Sequence, residues 1–570
     1  MVERLRLKPR QRLRLESAAE APRTEERKPT VFAPKPSLRK PSRLTPSAET
    51  PRLKLPAATE EKRVEPVAEE KPSPPTPASK KPVALFPESD HVVVIPTRNR
   101  PHRLNALLAS ILENISKFGY DKKIKVVVVD DSDALQAAKN QAAIARIQKA
   151  GGNRIELHYY DKSDQQQLIK ELESRLKPFG IDPREFIYEE GEKGFGGVRN
   201  MAALLAQRHS RPDSILTFLD DDTLLKNVVR RGKKYVLEHT KSFFHELDRI
   251  FASPDVNMVG GEVTGDGSGG MFYRLSDGLS YLEKFFLGAA RNDPAAPSDE
   301  VQKQMIGTVA LPGTSFSKSL QKVAELTAQL PAGRDRFRII TADVLSKQYN
   351  FDKKTVHKTD LVPGANVSMR ASVVKEIPYF QYKGLRGEDV IMSCAVNALQ
   401  GGVFIVNNPV AHLKDAGNRD AVREAIADMT CHPVLSALRE AASGKGRFAE
   451  ALKAYTPEKA RRHTEDILYS YPGNRISIWQ NRLPLVKKVI YGNKSAWWLQ
   501  PPYAKSMEKI KQFLDHVEKR LPSARRELHD SVSEEKVANA LRKYGRMLEN
   551  WKYVTEAARV AQLKQGLKAA

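Results

Sequence analysis

The chain has 570 residues, 40% of them hydrophobic, and a formal net charge of +25. That length accommodates a folded domain of several hundred residues with extensions on either side. The charge favours anionic partners (nucleic acid, a membrane surface, a phosphorylated acceptor or a nucleotide-sugar) without choosing among them. Only two cysteines occur, Cys394 and Cys431, too few for a disulfide framework and without the paired spacing of a zinc site, which fits a reducing, cytoplasmic setting. The opening MVERLRLKPRQRLRLES carries charge where a signal peptide needs an apolar core. No later stretch reaches the roughly 18 uncharged apolar residues of a spanning helix, so a soluble chain with no transmembrane segment is expected.

Residues 1–88 are crowded with Pro, Lys, Arg, Glu, Ala and Ser and nearly lack aromatics. Such a segment buries too little apolar surface to offset the entropy of ordering and is expected to be a disordered basic tail, a candidate tether to an anionic surface or a protein partner. At His91 the character changes. HVVVIPT, a helical pattern over about 103–118, and KIKVVVVDD ending at Asp130 and Asp131 read as β-α-β, because continuous β-branched runs between polar turns suit strands buried on both faces of a parallel sheet. A Gly-rich turn and a helical stretch over 198–207 precede a third run, SILTFL, which stops at Asp220, Asp221 and Asp222. Further strand-like pieces lie near 256–263, 361–369 and 402–410, with a Gly-, Ser- and charge-rich insertion over about 265–360. From 419 to 570 a Lys/Arg-rich helical region is expected, with an aromatic patch running from Tyr469 to Trp498 as its core and its seam with the preceding domain.

The acidic residues all fall at strand C-termini, where open α/β sheets bind ligands. An Asp-x-Asp at a strand end places alternate carboxylates on one side of the chain, and two hard oxygens facing one cation suit Mg²⁺ or Mn²⁺ holding a diphosphate. Asp130, Asp131 and Ser132, with Pro96, Thr97, Arg98, Asn99 and Arg100 at the first strand's end, can meet a base or ribose; singly, each reads equally as a turn or a cap. The stretch GEKGFGGVRN (191–200) lacks the ending of a P-loop and the spacing of a dinucleotide fingerprint. It offers close backbone approach to a ligand, with Arg199 available for phosphate or for a neighbouring carboxylate. Glu388 and Asp389 open an apolar helical stretch, where acidic residues also occur for dipole reasons alone. His412 follows the last strand.

In their order, VVVIPTRNRPHRLNALLASIL, VVVVDDSD, GFGGVRNMAA, LTFLDDDTLL, VPGANVSMRASVV, GEDVIMSCAVNALQGG and NPVAHLKD resemble the family 2 glycosyltransferases and their GT-A relatives over about 91–415. The resemblance implies an α/β GT-A domain over 89–418, Rossmann-like, with a mostly parallel sheet flanked by helices. The 265–360 insertion departs from the pattern of a compact family member and is a candidate acceptor lid. It implies transfer of a sugar from a nucleotide-sugar, UDP-sugar favoured, to the hydroxyl of an unspecified acceptor. By this likeness Pro96, Thr97 and Arg98 border the nucleoside, and Asp131, with Asp130 beside it, contacts base or ribose. Arg199 borders the phosphates. Asp220 and Asp222 are the ribose- and metal-contacting ends of the Asp-x-Asp motif, with Asp221 an alternative member. His412 matches a third ligand for Mn²⁺ or Mg²⁺, Asp389 the base of an inverting transfer, and Glu388 an acceptor-hydroxyl contact. Two rival readings stand beside it. One is a nucleotidyltransferase; the other is a degenerate GT-A domain in a protein that binds nucleic acid or an anionic surface.

Overall fold

The computed structural model describes residues 90–231, 234–265, 282–290, 357–362, 364–413, 421–444, 447–469 and 473–561, with a few single residues between 279 and 324. The expected tail (1–88) and most of the insertion (265–360) lie outside the described residues. The main sheet has nine strands: β1 (His91–Thr97), β2 (Ile124–Asp130), β3 (Ile155–Tyr160), β4 (Ile215–Leu219), β5 (Thr223–Leu224), β8 (Met258–Gly265), β9 (His357–Lys358), β10 (Asn366–Arg370) and β11 (Val403–His412). They run in the order β3-β2-β1-β4-β10-β8-β11-β5, with β9 also on β11. A separate hairpin pairs β6 (Asn227–Arg231) with β7 (Lys234–Glu238).

β3, β2, β1 and β4 are mutually parallel, as are β8 and β11, whereas β10 lies antiparallel between β4 and β8. This is the α/β, mostly parallel arrangement flanked by helices that the sequence implies. The continuous apolar runs behave as two-faced strands. Val93, Ile95, Val126 and Val128 enter one core with Leu104, Leu107, Leu108, Ile111 and Ile115 of α1 (Pro101–Phe118). Val92, Val94, Val127 and Val129 enter the other, with α3 (Lys162–Leu176) and α4 (Phe195–Gln207). α2 (Ala134–Gly151) and α5 (Phe243–Phe251) add Ile144, Ile147, Phe243, Phe244 and Leu247 to the first.

Sequence reading passed over β3, α2 and α3. IELHYY has neither a long apolar run nor strict alternation, and its place in the sheet comes from parallel pairing with β2, Ile124 opposite Ile155.

Beyond β10 come α6 (Ala371–Glu376) and α7 (Glu388–Leu399), and after β11 the helices α8 (Ala421–Met429), α9 (His432–Ser443), α10 (Phe448–Lys453), α11 (Pro457–Tyr469), α12 (Gly473–Tyr491), α13 (Ala504–Ser531) and α14 (Glu534–Val560). Within the aromatic patch Trp479 and Trp498 are core: both are buried, the Trp498 indole donates to Ile490 O (2.9 Å), and its ring meets Phe286 edge-on at 5.2 Å. α14 is more than an appendage, because it packs on α3, α4 and α6 outside the sheet's second face. Trp551 is fully buried, donates from Nε1 to Val374 O (2.8 Å) and lies 5.5 Å from the Phe186 ring. Tyr544 donates to Pro378 O (3.1 Å), and Arg208 donates to Ala558 O and Ala561 O at the helix end (2.9 and 2.7 Å).

Truncating a fully buried Trp typically costs about 3–5 kcal/mol. Trp551→Ala should therefore move the denaturant midpoint of the sheet domain strongly downward, with Trp551→Phe intermediate. Unchanged midpoints in both variants would mean that α14 does not share the sheet's cooperative unit.

Candidate active site

The site grows from the level ends of three parallel strands. Thr97 is the register partner of Asp130 across β1 and β2, and Val94 pairs with Phe218, so β4 ends beside β1 and its triplet emerges next to Thr97. Thr97 Oγ1 donates to Asp221 Oδ2 (2.8 Å), and Arg100 Nη1 donates to Asp221 Oδ1 (3.1 Å) and Asp222 Oδ2 (3.2 Å). Burial pushes the Asp221 carboxyl up to about 6, the charge of Asp222 adding to this and Arg100 opposing it. Asp221 is thus tied to β1, which leaves the flanking Asp220 and Asp222 as the ligand-like pair.

β11 bulges between Val406 and Val410, where Pro409 interrupts no ladder bond. It then pairs His412 with Thr223 of β5 and Gly265 of β8. Leu413 N donates to Asp222 O (2.7 Å), locking strand to triplet. His412 Nε2 consequently lies 2.9 Å from Asp222 Oδ1, and ligand atoms of Asp220, Asp222 and His412 all fall within 4.8 Å of one another. The other imidazole nitrogen, His412 Nδ1, is buried with no hydrogen-bond partner among the described residues. Two carboxylates and one imidazole suit Mg²⁺ or Mn²⁺, the imidazole favouring the transition metal.

Across the triplet stands Arg199, with its side chain 7% exposed. It donates from Nη2 to Asp220 Oδ1 (2.6 Å), and its Nε is 3.8 Å from Asp389 Oδ1. Asp389 is 14% exposed at the start of α7, one residue after Glu388. Burial pushes the Asp389 carboxyl up to about 8, with Arg199 opposing and Glu388 and Asp220 adding to the rise; burial likewise raises Glu388. Arg199 Nη1 and Asp389 Oδ1 are both buried without a hydrogen-bond partner among the described residues. Gly364, between β9 and β10, makes room for this carboxylate, since a Cβ there would stand 1.7 Å from Asp389 Oδ2.

The Gly-rich stretch departs from expectation. A Cβ on Gly196 would fall 1.9 Å from Phe380 O, and one on Gly197 2.0 Å from Ile187 O. The close backbone approach is therefore to protein, letting α4 sink between two chain segments and carry Arg199 into the site. Asn200 does similar work, donating to Phe186 O and Tyr379 O and accepting from Tyr379 N (2.8, 2.9 and 2.7 Å).

Asp130 and Asp131 have different surroundings. Asp130 is 1% exposed and accepts from Ser132 N (2.7 Å), Asn140 Nδ2 (2.8 Å) and Tyr159 OH (2.6 Å), which makes it a buried anchor for the loop. Asp131 is held by the backbone bond from its N to Thr97 O (2.9 Å), and its carboxylate accepts from Lys193 Nζ at 2.6 Å. Lys193 also donates to Gln165 Oε1. Pro96 is half-buried and Arg98 exposed at the same strand end. Sequence reading placed Arg100 at a base or ribose, whereas here it donates to Asp221 and Asp222. It gave no role to Lys193, which lies inside a motif it quoted, or to Gln165, which sits on the helix it passed over.

No protein-family description and no curated protein sequence matches this chain. Among solved structures, mannosyl-3-phosphoglycerate synthase from Rubrobacter xylanophilus aligns over 63% of this chain and 76% of its own, at 13% identity and a TM-score of 0.28. The WbbM bifunctional glycosyltransferase in its apo form aligns over 56% of this chain and 39% of its own, at 12% identity and a TM-score of 0.24. Values this low assign no activity and no residue role, and the fold assignment rests on the strand order given above.

Asp389 binds its proton more tightly folded, at about 8, than unfolded, at about 4. It therefore adds stability that is complete below pH of about 4 and is lost as pH rises through about 8. Asp389→Asn removes the titration. With a chelator present, the Tm of this variant should exceed that of the wild type by a margin that grows between pH 5 and 8.5; a margin independent of pH would show that the carboxyl titrates normally.

Proposed function

We propose that this chain is a metal-dependent glycosyltransferase that moves a sugar from a nucleotide-sugar, UDP-sugar favoured, to an acceptor hydroxyl with inversion, Asp389 serving as base. The observation that carries this reading is the grouping of Asp220, Asp222 and His412 within 4.8 Å, with Arg199 bridging from Asp220 to the buried Asp389. One end of that cluster suits a diphosphate and the other a proton transfer.

Asp222, Asp220 and His412 would hold Mn²⁺ or Mg²⁺, which would offset charge on the departing nucleoside diphosphate. Arg199 borders the same oxygens from the opposite side, its unpartnered Nη1 serving as a charge-assisted donor. Thr97 and Asp131, with Pro96 and Arg98 alongside, take the nucleoside. In this proposal Asp130 acts through the loop it anchors rather than by touching the donor. Asp389 takes the acceptor hydroxyl's proton onto its carboxylate as the oxygen attacks the anomeric carbon, and Glu388 meets a neighbouring hydroxyl. The two cysteines, both buried as free thiols, support a cytoplasmic setting. No helix among the described residues is long and apolar enough to cross a membrane.

The test is a donor screen on the full chain by thermal shift and nucleoside-diphosphate release, with and without Mn²⁺. Metal-dependent stabilisation by one nucleotide-sugar is expected, with diphosphate release lost in Asp222→Ala. Release of pyrophosphate instead would turn the assignment to a nucleotidyltransferase. No response to any donor, together with salt-sensitive retention on DNA, would turn it to a binding protein.

General-base assistance is worth about 10²–10⁴-fold, so Asp389→Asn should lower kcat by that factor while leaving donor stabilisation in place. The base must be deprotonated to act. The wild-type kcat/KM for acceptor should therefore rise with pH up to a limb near 8, and Asp389→Asn should abolish that limb. A flat profile in the wild type would remove Asp389 from the role.

A further inference from the structure

The nucleoside end of the site holds an ion pair that takes no part in the transfer step. Lys193 Nζ donates to Asp131 Oδ1 (2.6 Å) and to Gln165 Oε1. The two charged side chains are only 13% and 16% exposed, so the pair is held largely out of water.

A tight turn delivers the lysine. Glu189 and Glu192 bond to each other in both directions (Glu189 N to Glu192 O 2.8 Å, Glu192 N to Glu189 O 3.0 Å), and between them Glu190 and Gly191 have φ +49 and +82. That is the pattern of a type I′ turn, which glycine favours. Two of its acidic residues are tied elsewhere, Glu189 to Lys543 of α14 and Glu190 to Lys383. Lys193 leaves the turn with its ammonium over the Tyr188 ring, 6.0 Å from the centroid. Gln165 is fully buried in the first turn of α3. It donates from Nε2 to Asp130 O (2.9 Å), which leaves Oε1 to receive the lysine.

What remains open is specific. Among the described residues no hydrogen bond engages Asp131 Oδ2, and an ammonium has three N–H donors, of which Lys193 spends two. One acceptor and one donor therefore stand side by side. The sheet sets their order. Its strands run β3-β2-β1-β4, so moving away from the triplet after β4 come Thr97 on β1, Asp131 after β2, and then Gln165 at the start of the helix that follows β3. Lys193, shared between Asp131 and Gln165, thus stands on the side of Asp131 away from the triplet. A nucleotide whose diphosphate lies at the triplet would bring the inner part of its base edge to the carboxylate and the outer part to the ammonium.

We propose that Asp131 and Lys193 together read the nucleobase, and that the base is one with a ring N–H beside an exocyclic carbonyl, uracil or guanine. The inference rests on the glycosyl-transfer reading above. The ring N–H donates to Asp131 Oδ2 and the carbonyl accepts the third N–H of Lys193, both charge-assisted bonds. Cytosine and adenine carry the reverse pattern, a ring nitrogen lone pair with an amine outside it. They would set acceptor against acceptor and donor against donor, leaving partly buried charges unpaired. Gln165 is a positioning residue that holds the lysine where this reading occurs.

The experiment measures binding of UDP, GDP, CDP and ADP to the full chain by calorimetry with Mn²⁺ present. UDP or GDP should bind at least about tenfold more tightly than CDP and ADP, the scale on which a site rejects a ligand that leaves its polar groups unpaired. The tighter of the two identifies the base. Lys193→Met, which keeps the length and removes the charge, should close that gap, and Lys193→Arg should retain part of it. CDP or ADP binding as tightly as the better of UDP and GDP in the wild type overturns the base reading and leaves glycosyl transfer standing. A loss of equal size for all four nucleotides in Lys193→Met also overturns it, because the lysine would then only support the loop. Absence of metal-dependent binding by any of the four in the wild type overturns glycosyl transfer, and the base reading falls with it.

Discussion

The arrangement turns on one guanidinium. Five carboxyl groups, those of Asp220, Asp221, Asp222, Glu388 and Asp389, gather at the strand ends, three of them at residues that are half-buried and two at residues that are buried. Such groups repel one another and lose hydration together, and both effects drive carboxyl pKa values upward. Arg199 opposes this from within, 2.6 Å from Asp220 and 3.8 Å from Asp389, and Arg100 does so from the rim. Neither cation compensates fully: Asp221 and Asp389 stay raised. A cluster short of positive charge in this way is suited to receive a cation, and it leaves one carboxyl within range of neutral pH. In the proposed function, metal affinity and general-base strength would both follow from the same uncompensated charge.

Placing that guanidinium is where much of the surrounding sequence is spent. Arg199 reaches the cluster because Gly196 and Gly197 let α4 pass within contact of Phe380 and Ile187, and because Asn200 clamps the helix to both segments. Its opposite partner is seated by a third glycine, Gly364, whose missing side chain leaves the Asp389 carboxylate its space. Any of these glycines replaced by alanine would push one half of the ion pair off the other. At 3.8 Å, a shift of an ångström changes the coupling energy and, in the proposed function, would change the geometry of proton transfer.

The strands β1, β2 and β4 and the carboxylates after β2 and β4 were legible because they rest on local signals: apolar runs between polar turns, and acidic residues at their ends. The convergence of Asp220, Asp222 and His412 was legible only through the resemblance, since about 190 residues separate the triplet from the histidine. Pro409 in NNPVAHL marks a break in the ladder but not that the bulge brings His412 back beside β5. The Gly-rich stretch misled for a definite reason. Glycine permits close approach without saying to what, and here the partner is backbone carbonyls of the same chain. Asp130 and Asp131 are adjacent and chemically identical, yet one is a buried anchor and the other faces Lys193. Only the positions of Asn140 and Tyr159, ten and twenty-nine residues on, decide which is which.

The C-terminal helices extend this logic beyond the sheet. α7, which carries Asp389, packs on α9; α9 and α10 lead to α14; and α14 lies on α4, which carries Arg199. The circuit is close-packed at each step. A Cβ on Gly545 would meet Ala449 O at 2.8 Å, Tyr544 stacks edge-on against Phe380 at 5.5 Å, and Trp551 bonds to Val374. Two oppositely charged groups on separate helices are thereby fixed by helices that belong to neither strand-end motif. Packed interiors transmit displacement rather than absorb it, so the stability of the helical region and the geometry of the Arg199–Asp389 pair are properties of one structure. A domain cut after β11 would keep every motif that the sequence advertises and lose the frame that sets the distance between them.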